Sequence, residues 1–373
     1  MPLLLIAFFI VDLLSFAYPF IAYYLYRQWD LYRDTIDEDY AQRCLWGAIA
    51  LLLLILLGRF LAKALLSKRR KGEDEPKMFE SNKRDSIKRP DGTSIHVESY
   101  GQQDAQAIIF VHGLNSNSKN WYYQRKYFEK SYRVILMDLP GMGKSTRPAN
   151  GDFSMQKMAA DIQAVIEYTG AQNPILWGHS MGGMAILTLL AKNRDANRPK
   201  IRATILEHTT YTNPVKTILF RGLMTAIQKP ILTPLCYLFI FLSPIIWMGR
   251  WMSYLNGNSH VMTRWLTFAG TQSAKQLDFT TLLSTLTPPA VMARGCLGMF
   301  RYDVTDDLPA ITVPTLIIGA NKDRLTRPDA SEYMSRHIPG AQLVMLQPAN
   351  HEGLLERHVE VNQAAEKFIR ALA

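Results

Sequence analysis

Gly178-His179-Ser180-Met181-Gly182-Gly183 follows the short apolar run Pro174-Ile-Leu-Trp177 and opens a helix-forming stretch, Gly182 to Asn193. A serine set between glycines where a strand turns into a helix is the pattern that exposes a hydroxyl on a sharp turn, ready to attack a carbonyl. Gly178 and Gly182 lack the β-carbons that would obstruct this elbow, so Ser180 can project while the backbone around His179 stays tightly packed. A neutral hydroxyl is a poor nucleophile, and it needs a base to take its proton and an acid to hold that base in the useful tautomer. An ordinary strand-to-helix connection is the plainer reading of the same residues, and partners elsewhere in the chain decide between the two.

In this context the sequence resembles the α/β-hydrolase superfamily, especially its capped serine esterases and monoacylglycerol-lipase-like hydrolases, from about Met78 to the C-terminus. The resemblance implies an acid after a late core strand, which falls on Asp323 in Val313-Pro-Thr-Leu-Ile-Ile-Gly-Ala-Asn-Lys-Asp323. It implies a base after the next strand, which falls on His351 in Leu343-Val-Met-Leu-Gln-Pro-Ala-Asn-His351. It also implies an oxyanion hole made of two backbone amides, those of Leu114 in the turn His112-Gly-Leu114 and of Met181, whose side chains need not be polar. Taken alone, Asp323 would be a turn or helix cap and His351 a loop histidine.

Nearby groups have other readings. Glu207 follows the preceding core strand and is the rival to Asp323 for orienting the base, while Asp307 belongs to the polar approach to the Val313 strand. Glu352 reads as a local hydrogen-bonding residue, His112 and His179 as loop-orienting residues, and Trp177 as packing behind the elbow. The expected reaction is hydrolysis of a carboxylic ester through an acyl-enzyme, with lipid-like acyl esters such as monoacylglycerols as substrates and no dissociable cofactor. A serine at the elbow disfavours the dehalogenase and epoxide hydrolase chemistries that use aspartate there. Thioester hydrolysis, peptide hydrolysis and perhydrolysis stay open, as does a catalytically silent membrane scaffold or ligand-binding module with the same fold.

Other chemistries find less support. Asp138-Leu-Pro-Gly141-Met-Gly143-Lys144-Ser145 offers Gly-Lys-Ser, but Asp138 stands where a phosphate-binding loop needs its first glycine. The remaining histidines form no recognised metal-ligand spacing. Cys44, Cys236 and Cys296 are too few and too far apart for a disulfide framework. The net charge of +10 favours an anionic surface, and its first dense cluster, Lys68-Arg-Arg-Lys71, directly follows an apolar stretch. That position points to membrane headgroups, with anionic lipid as the partner, and away from nucleic acid.

The elements that must position Ser180 follow from apolar runs. Ser94 to Tyr100, Ala107 to Val111, Tyr132 to Met137, Ile201 to Leu206, Thr315 to Gly319 and Leu343 to Leu346 suit strands, with a weaker candidate at Met78 to Arg84. Met155 to Thr169 and Glu356 to Ala371 suit helices, and the alternation predicts an α/β fold with a mostly parallel sheet. Residues 210–309 interrupt the rhythm with apolar and aromatic residues broken by prolines, which predicts a helical cap between two parts of the core, 78–209 and 310–373. Within it, Pro230 to Met248 lacks charge, yet a crossing there would separate Ser180 from Asp323 and His351. The expectation is an interfacial cap, with Phe239, Phe241 and Trp247 lining an acyl entrance.

Residues 1–66 read as a membrane hairpin, joined by a polar linker at 67–77. From Leu3 to Tyr26 only Asp12 is charged, and a helix of that length reaches about 36 Å, enough to cross a hydrocarbon layer about 30 Å thick. Cys44 to Gly58 is uncharged and spans by continuing through Phe60 and Leu61 while Arg59 and Lys63 reach toward headgroups. The acidic connector and the basic cluster after the second run place the catalytic domain in the cytoplasm by the positive-inside rule. Cysteine labelling from each side of the bilayer is expected to reach positions 37 and 86 from opposite faces; access to Asp37 and Ser86 from one side would overturn the hairpin.

Overall fold

The computed structural model describes residues 2–35, 37–68, 74–192 and 200–372. Two long helices come first, α1 (Pro2–Tyr32) and α2 (Glu38–Leu66). The first part of the core runs β1 (Arg84–Lys88), β2 (Ser94–Tyr100), β3 (Ala107–Val111), α3 (Tyr122–Phe128), β4 (Arg133–Met137), α4 (Met155–Thr169), β5 (Ile175–His179), α5 (Met181–Lys192) and β6 (Ala203–Glu207). Six helices follow: α6 (Arg221–Ile227), α7 (Thr233–Phe241), α8 (Ser243–Leu255), α9 (Asn258–Thr267), α10 (Ala274–Leu286) and α11 (Pro289–Met299). The core then resumes with β7 (Thr315–Ala320), α12 (Pro328–His337), β8 (Gln342–Leu346), α13 (Gly353–Glu356) and α14 (His358–Arg370).

The strands form one sheet in the order β1-β2-β4-β3-β5-β6-β7-β8, antiparallel through β2 and parallel from β4 to β8. Strands β3, β5, β6 and β7 are buried along their whole length. Their apolar runs are continuous because both faces of the sheet are covered. Alternate residues serve the two faces: Ile109, Val111, Leu176 and Ile317 join one core with α4 and α5. Ile108, Phe110, Trp177 and Ile318 join the other with α3 and α14. Since β5, β7 and β8 run parallel, the segments leaving their carboxyl ends emerge along one edge of the sheet.

The weak strand candidate at Met78 to Arg84 is displaced. The strand is Arg84–Lys88, and only Ile87 of it is buried because β1 is an edge strand paired on one side. The apolar signal upstream belongs to Phe79, whose ring instead packs 6.0 Å from both Tyr100 and Tyr122.

Between β6 and β7 the helices form the cap. Pro244 sits in the first turn of α8, where a missing N–H leaves no bond unmade, and Pro234 directly follows the π turn Gln228–Leu232 that leads into α7. The stretch Arg221–Phe241 is apolar enough to cross a bilayer. It bends through a π turn, however, and buries Met224, Leu232, Cys236 and Phe239 in the protein core.

The two N-terminal helices are also long and apolar enough to cross a membrane. They pack on one another and then on the cap, α1 against α8 and α9 and α2 against α8, α9 and α10. The expected solvated linker is likewise tied down at both ends. Gln272 Nε2 donates to Leu66 O at 2.8 Å and Lys68 N to Gln272 O at 3.1 Å. Asp74 accepts from Tyr122, Tyr123 and Lys126, and Glu75 from Ser273. Arg69 to Lys71 of the basic cluster lie outside the described residues.

One contact sets how closely α2 approaches the cap. A β-carbon on Gly58 would lie 2.1 Å from Asn256 O, and one on Gly257 would lie 2.7 Å from Gly58 O. Two backbones touch here, so no side chain can swing away to make room. Gly58→Val is expected to lower stability by about 1–3 kcal/mol, read as a lower thermal midpoint in detergent; an unchanged midpoint would show that the seam is loose.

Candidate active site

Ser180 ends the turn between β5 and α5 with φ +52°, a left-handed conformation costly for a residue with a β-carbon. Its surroundings hold it there. Ser180 N donates to Glu207 O at 2.9 Å and Thr209 Oγ1 donates to Ser180 O at 2.6 Å. A β-carbon on Gly182 would lie 2.2 Å from Val111 O, so the elbow can rest on β3 only with glycine there. Gly178 is held as tightly, against Gly183.

The loops after β7 and β8 bring two more groups to the hydroxyl. His351 Nε2 lies 2.9 Å from Ser180 Oγ, and His351 Nδ1 lies 2.9 Å from Asp323 Oδ2. An ionised carboxylate only accepts, so Nδ1 carries the ring proton and Nε2 presents its lone pair to the serine O–H. Asp323 also accepts from Leu325 N, Thr326 N and Thr326 Oγ1 at 2.8–2.9 Å. Burial alone would raise its carboxyl; the electrostatic interaction and hydrogen bond with His351, then His208 and the Thr326 N–H, hold it at about 2. The acid therefore stays charged across the neutral range.

Other buried ionisable groups are driven toward neutrality. His179 donates from Nε2 to His351 O at 2.9 Å, and burial, with the neighbouring imidazoles of His351 and His208, pushes its pKa well down. His208 lies beside it, lowered to about 3, chiefly by burial. Glu207 accepts the Trp177 indole N–H at 2.8 Å and does not touch His351, so it is no substitute for Asp323. Glu352, raised to about 7 by burial, accepts from Asn120 Nδ2 at 3.2 Å. His112 spans its loop, placing Nδ1 2.8 Å from Gly113 O and accepting Leu139 N–H at Nε2.

Met181 opens α5, so its amide is among the first-turn N–H groups that lack an intrahelical acceptor. Leu114 borders the same small cavity as His351, His179 and Glu352. That cavity measures about 30 Å³, room for a water or two, and Ser180 has no exposed surface. The site is closed. Larger clefts, of about 290 and 570 Å³, lie elsewhere on the surface, beside His358 and Arg202.

The three aromatics expected to line an entrance do not border the cavity. Phe239 is fully buried with its ring 5.9 Å from that of Phe9, Phe241 is 82% exposed, and Trp247 is half-buried with its indole on Thr285 O. Helix α7 is apolar on every side, so its sequence carried no sign of which ring faces inward. The cavity wall is built instead from Leu325, Thr263, Thr267, Thr280 and, from α1, Phe8.

Burial pushes the Glu207 carboxyl from its ordinary 4.5 up to about 8. A group protonated in the folded state stabilises fully below its unfolded value, and that contribution fades as pH rises toward the folded one. Between pH 5 and pH 8 the thermal midpoint of Glu207→Gln is therefore expected to fall less than that of the parent, by about 2 °C or more. Parallel melting curves would refute the buried neutral acid.

Comparison with known proteins bears on the fold. Residues 106–358 match the family described as alpha/beta hydrolase fold. The AB hydrolase superfamily protein YisY of Bacillus subtilis is 26% identical over 76% of this chain and 97% of its own length. The 3-oxoadipate enol-lactonase 1 of Acinetobacter baylyi is 23% identical over 75% of this chain and 95% of its own. A thermophilic esterase from Thermogutta terrifontis superposes with a TM-score of 0.64 at 24% identity, covering 78% of this chain and 99% of the esterase, and shows the shared fold. With more than half of its residues matched, the chain belongs to the alpha/beta hydrolase fold family.

Proposed function

We propose that this protein is a membrane-anchored serine esterase that cleaves lipid-like acyl esters such as monoacylglycerols, with Ser180 as nucleophile, His351 as base and Asp323 as its orienting acid. The observation that carries the reading is the unbroken relay of two 2.9 Å contacts from Asp323 through His351 to Ser180. His351 takes the Ser180 proton as the oxygen attacks the ester carbonyl. Charge then develops on the carbonyl oxygen, where the amides of Leu114 and Met181 donate to it. Collapse passes the proton from His351 to the departing alcohol and leaves an acyl-enzyme. Water, deprotonated by the same imidazole, attacks the acyl group and restores the serine.

The lipid character of the substrate rests on the exposed apolar surface of the two N-terminal helices and the cap. Ile10, Leu13 and Leu14 of α1, Leu52, Leu56 and Phe60 of α2, and Phe241, Ile245 and Met248 of the cap are all exposed. Apolar surface on this scale fits contact with a bilayer. We read α1 and α2 as two spans of an anchor at 1–66 and the catalytic part as cytoplasmic. The hydrolase core is then divided at 78–209 and 310–373 around the cap at 210–309.

A fluorophosphonate probe followed by peptide mass spectrometry is expected to mark Ser180. Ser180→Ala should lose the label and more than about a thousandfold in kcat, and Asp323→Asn about ten-thousandfold by misplacing the ring proton. Labelling at another residue, or full esterase activity in Ser180→Ala, would reject the assignment.

A further inference from the structure

The family match begins at residue 106, yet one wall of the catalytic cavity comes from residue 8. Phe8 is 2% exposed and borders the same space as His351 and Leu114. A regular stripe fixes it there. The Arg250 guanidinium of α8 lies 4.7 Å over the Phe8 ring, and its Nε is 3.6 Å from Asp12 Oδ2, one turn further along α1. Next along the same face, Ser15 Oγ accepts from Asn256 Nδ2 at 2.9 Å and Asn258 Nδ2 at 3.2 Å. Phe16 then presses on Gly249, where a β-carbon would lie 2.5 Å from its ring. Positions 8, 12, 15 and 16 share one face of a helix.

The opposite face of α1 carries exposed Ile10, Leu13 and Leu14, so the seam between α1 and the cap runs from lipid-facing surface to the catalytic cavity. A cavity of about 30 Å³ does not hold an acyl ester, since small-molecule sites enclose about 300–1,000 Å³. Some wall must move. The sheet-edge loops are pinned by the relay itself, whereas α1 lies outside the hydrolase core and meets the cavity across a seam of side-chain contacts, among them an Arg250–Asp12 ion pair stretched to 3.6 Å.

Building on the serine esterase reading, we propose that Phe8 is a specificity-determining residue supplied by the membrane anchor, and that acyl esters enter from the bilayer along the seam between α1 and the cap. Docked, α1 closes the cavity; displaced, it opens the cavity sideways toward lipid, and the ring of Phe8 limits the bulk that fits against Ser180.

The experiment uses the full chain in phosphatidylcholine liposomes and a long-chain alkyl fluorophosphonate carrying a diazirine. After labelling and irradiation, peptide mapping is expected to find the probe joined to Ser180 and crosslinked within Leu5 to Ser15. Crosslinks confined to the cap and core in a chain labelled at Ser180 would overturn the proposal while leaving the nucleophile assignment standing. Absence of Ser180 label from the unaltered chain would remove both. In folded variants, Phe8→Ala is expected to raise the ratio of kcat/KM for a bulky ester over an acetyl ester about tenfold, and Phe8→Trp to lower it. An unchanged ratio in both variants would overturn the role of Phe8. Should Phe8→Ala not fold, Phe8→Leu and the crosslink in the unaltered chain carry the same decision.

Discussion

The left-handed backbone at Ser180 is the constraint on which the rest of the structure depends. A β-carbon in that conformation is strained, and strain of this kind persists only where surrounding contacts over-determine it. Two bonds to its backbone, from the last residue of β6 and from Thr209 just beyond it, supply part of that hold, and the close rest of Gly182 on β3 supplies the remainder. Those contacts exist because β3, β5 and β6 lie side by side in parallel register. The fully buried strands thus do more than form a core: they fix the point at which the chain turns the hydroxyl outward.

The electrostatics around that point separate one charged acid from neutral neighbours. Asp323 stays charged in spite of burial chiefly through His351, and three further hydrogen bonds converge on the same carboxylate. His179 and His208 are buried within the same aromatic cluster, their rings 4.9 Å and 6.2 Å from that of His351. Burial keeps both neutral, so neither adds a competing positive charge beside the imidazole. One carboxylate therefore dominates the field felt by one ring, and the proton position on that ring is set by geometry.

Sequence and structure agree where a single physical rule dominates. Ala107–Val111 and Met155–Thr169 coincide with β3 and α4 to the residue, because the first is a wholly apolar run and the second has a serine cap at one end and Gly170 at the other. The elbow was legible because glycines and serine stand at a fixed spacing, and Asp323 and His351 because the resemblance assigns positions after particular strands. Thr326, Thr209 and His208 were not legible: their value lies in what folding places beside them, and no local pattern marks a threonine that holds a carboxylate. Phe8 was hidden by its surroundings. In a run apolar on all sides, a residue facing lipid and one facing a catalytic cavity look alike, and the lone Asp12 read as a tolerated charge when it is the partner of Arg250.

The seam between α1 and the cap sets synthesis against assembly. Ser15 and Asn256 are 241 positions apart, so the helix that leaves the ribosome early waits for the first part of the core and half of the cap before its polar face is satisfied. Until α8 and α9 exist, Asp12 and Ser15 sit on an apolar helix without their partners from the cap, and Asn256 and Asn258 later meet a helix already made. Late native contacts of long sequence separation are slow to form. On the proposed anchoring, maturation of this chain is a docking problem in two dimensions: the hydrolase fold completes itself against a helix placed in the bilayer ahead of it.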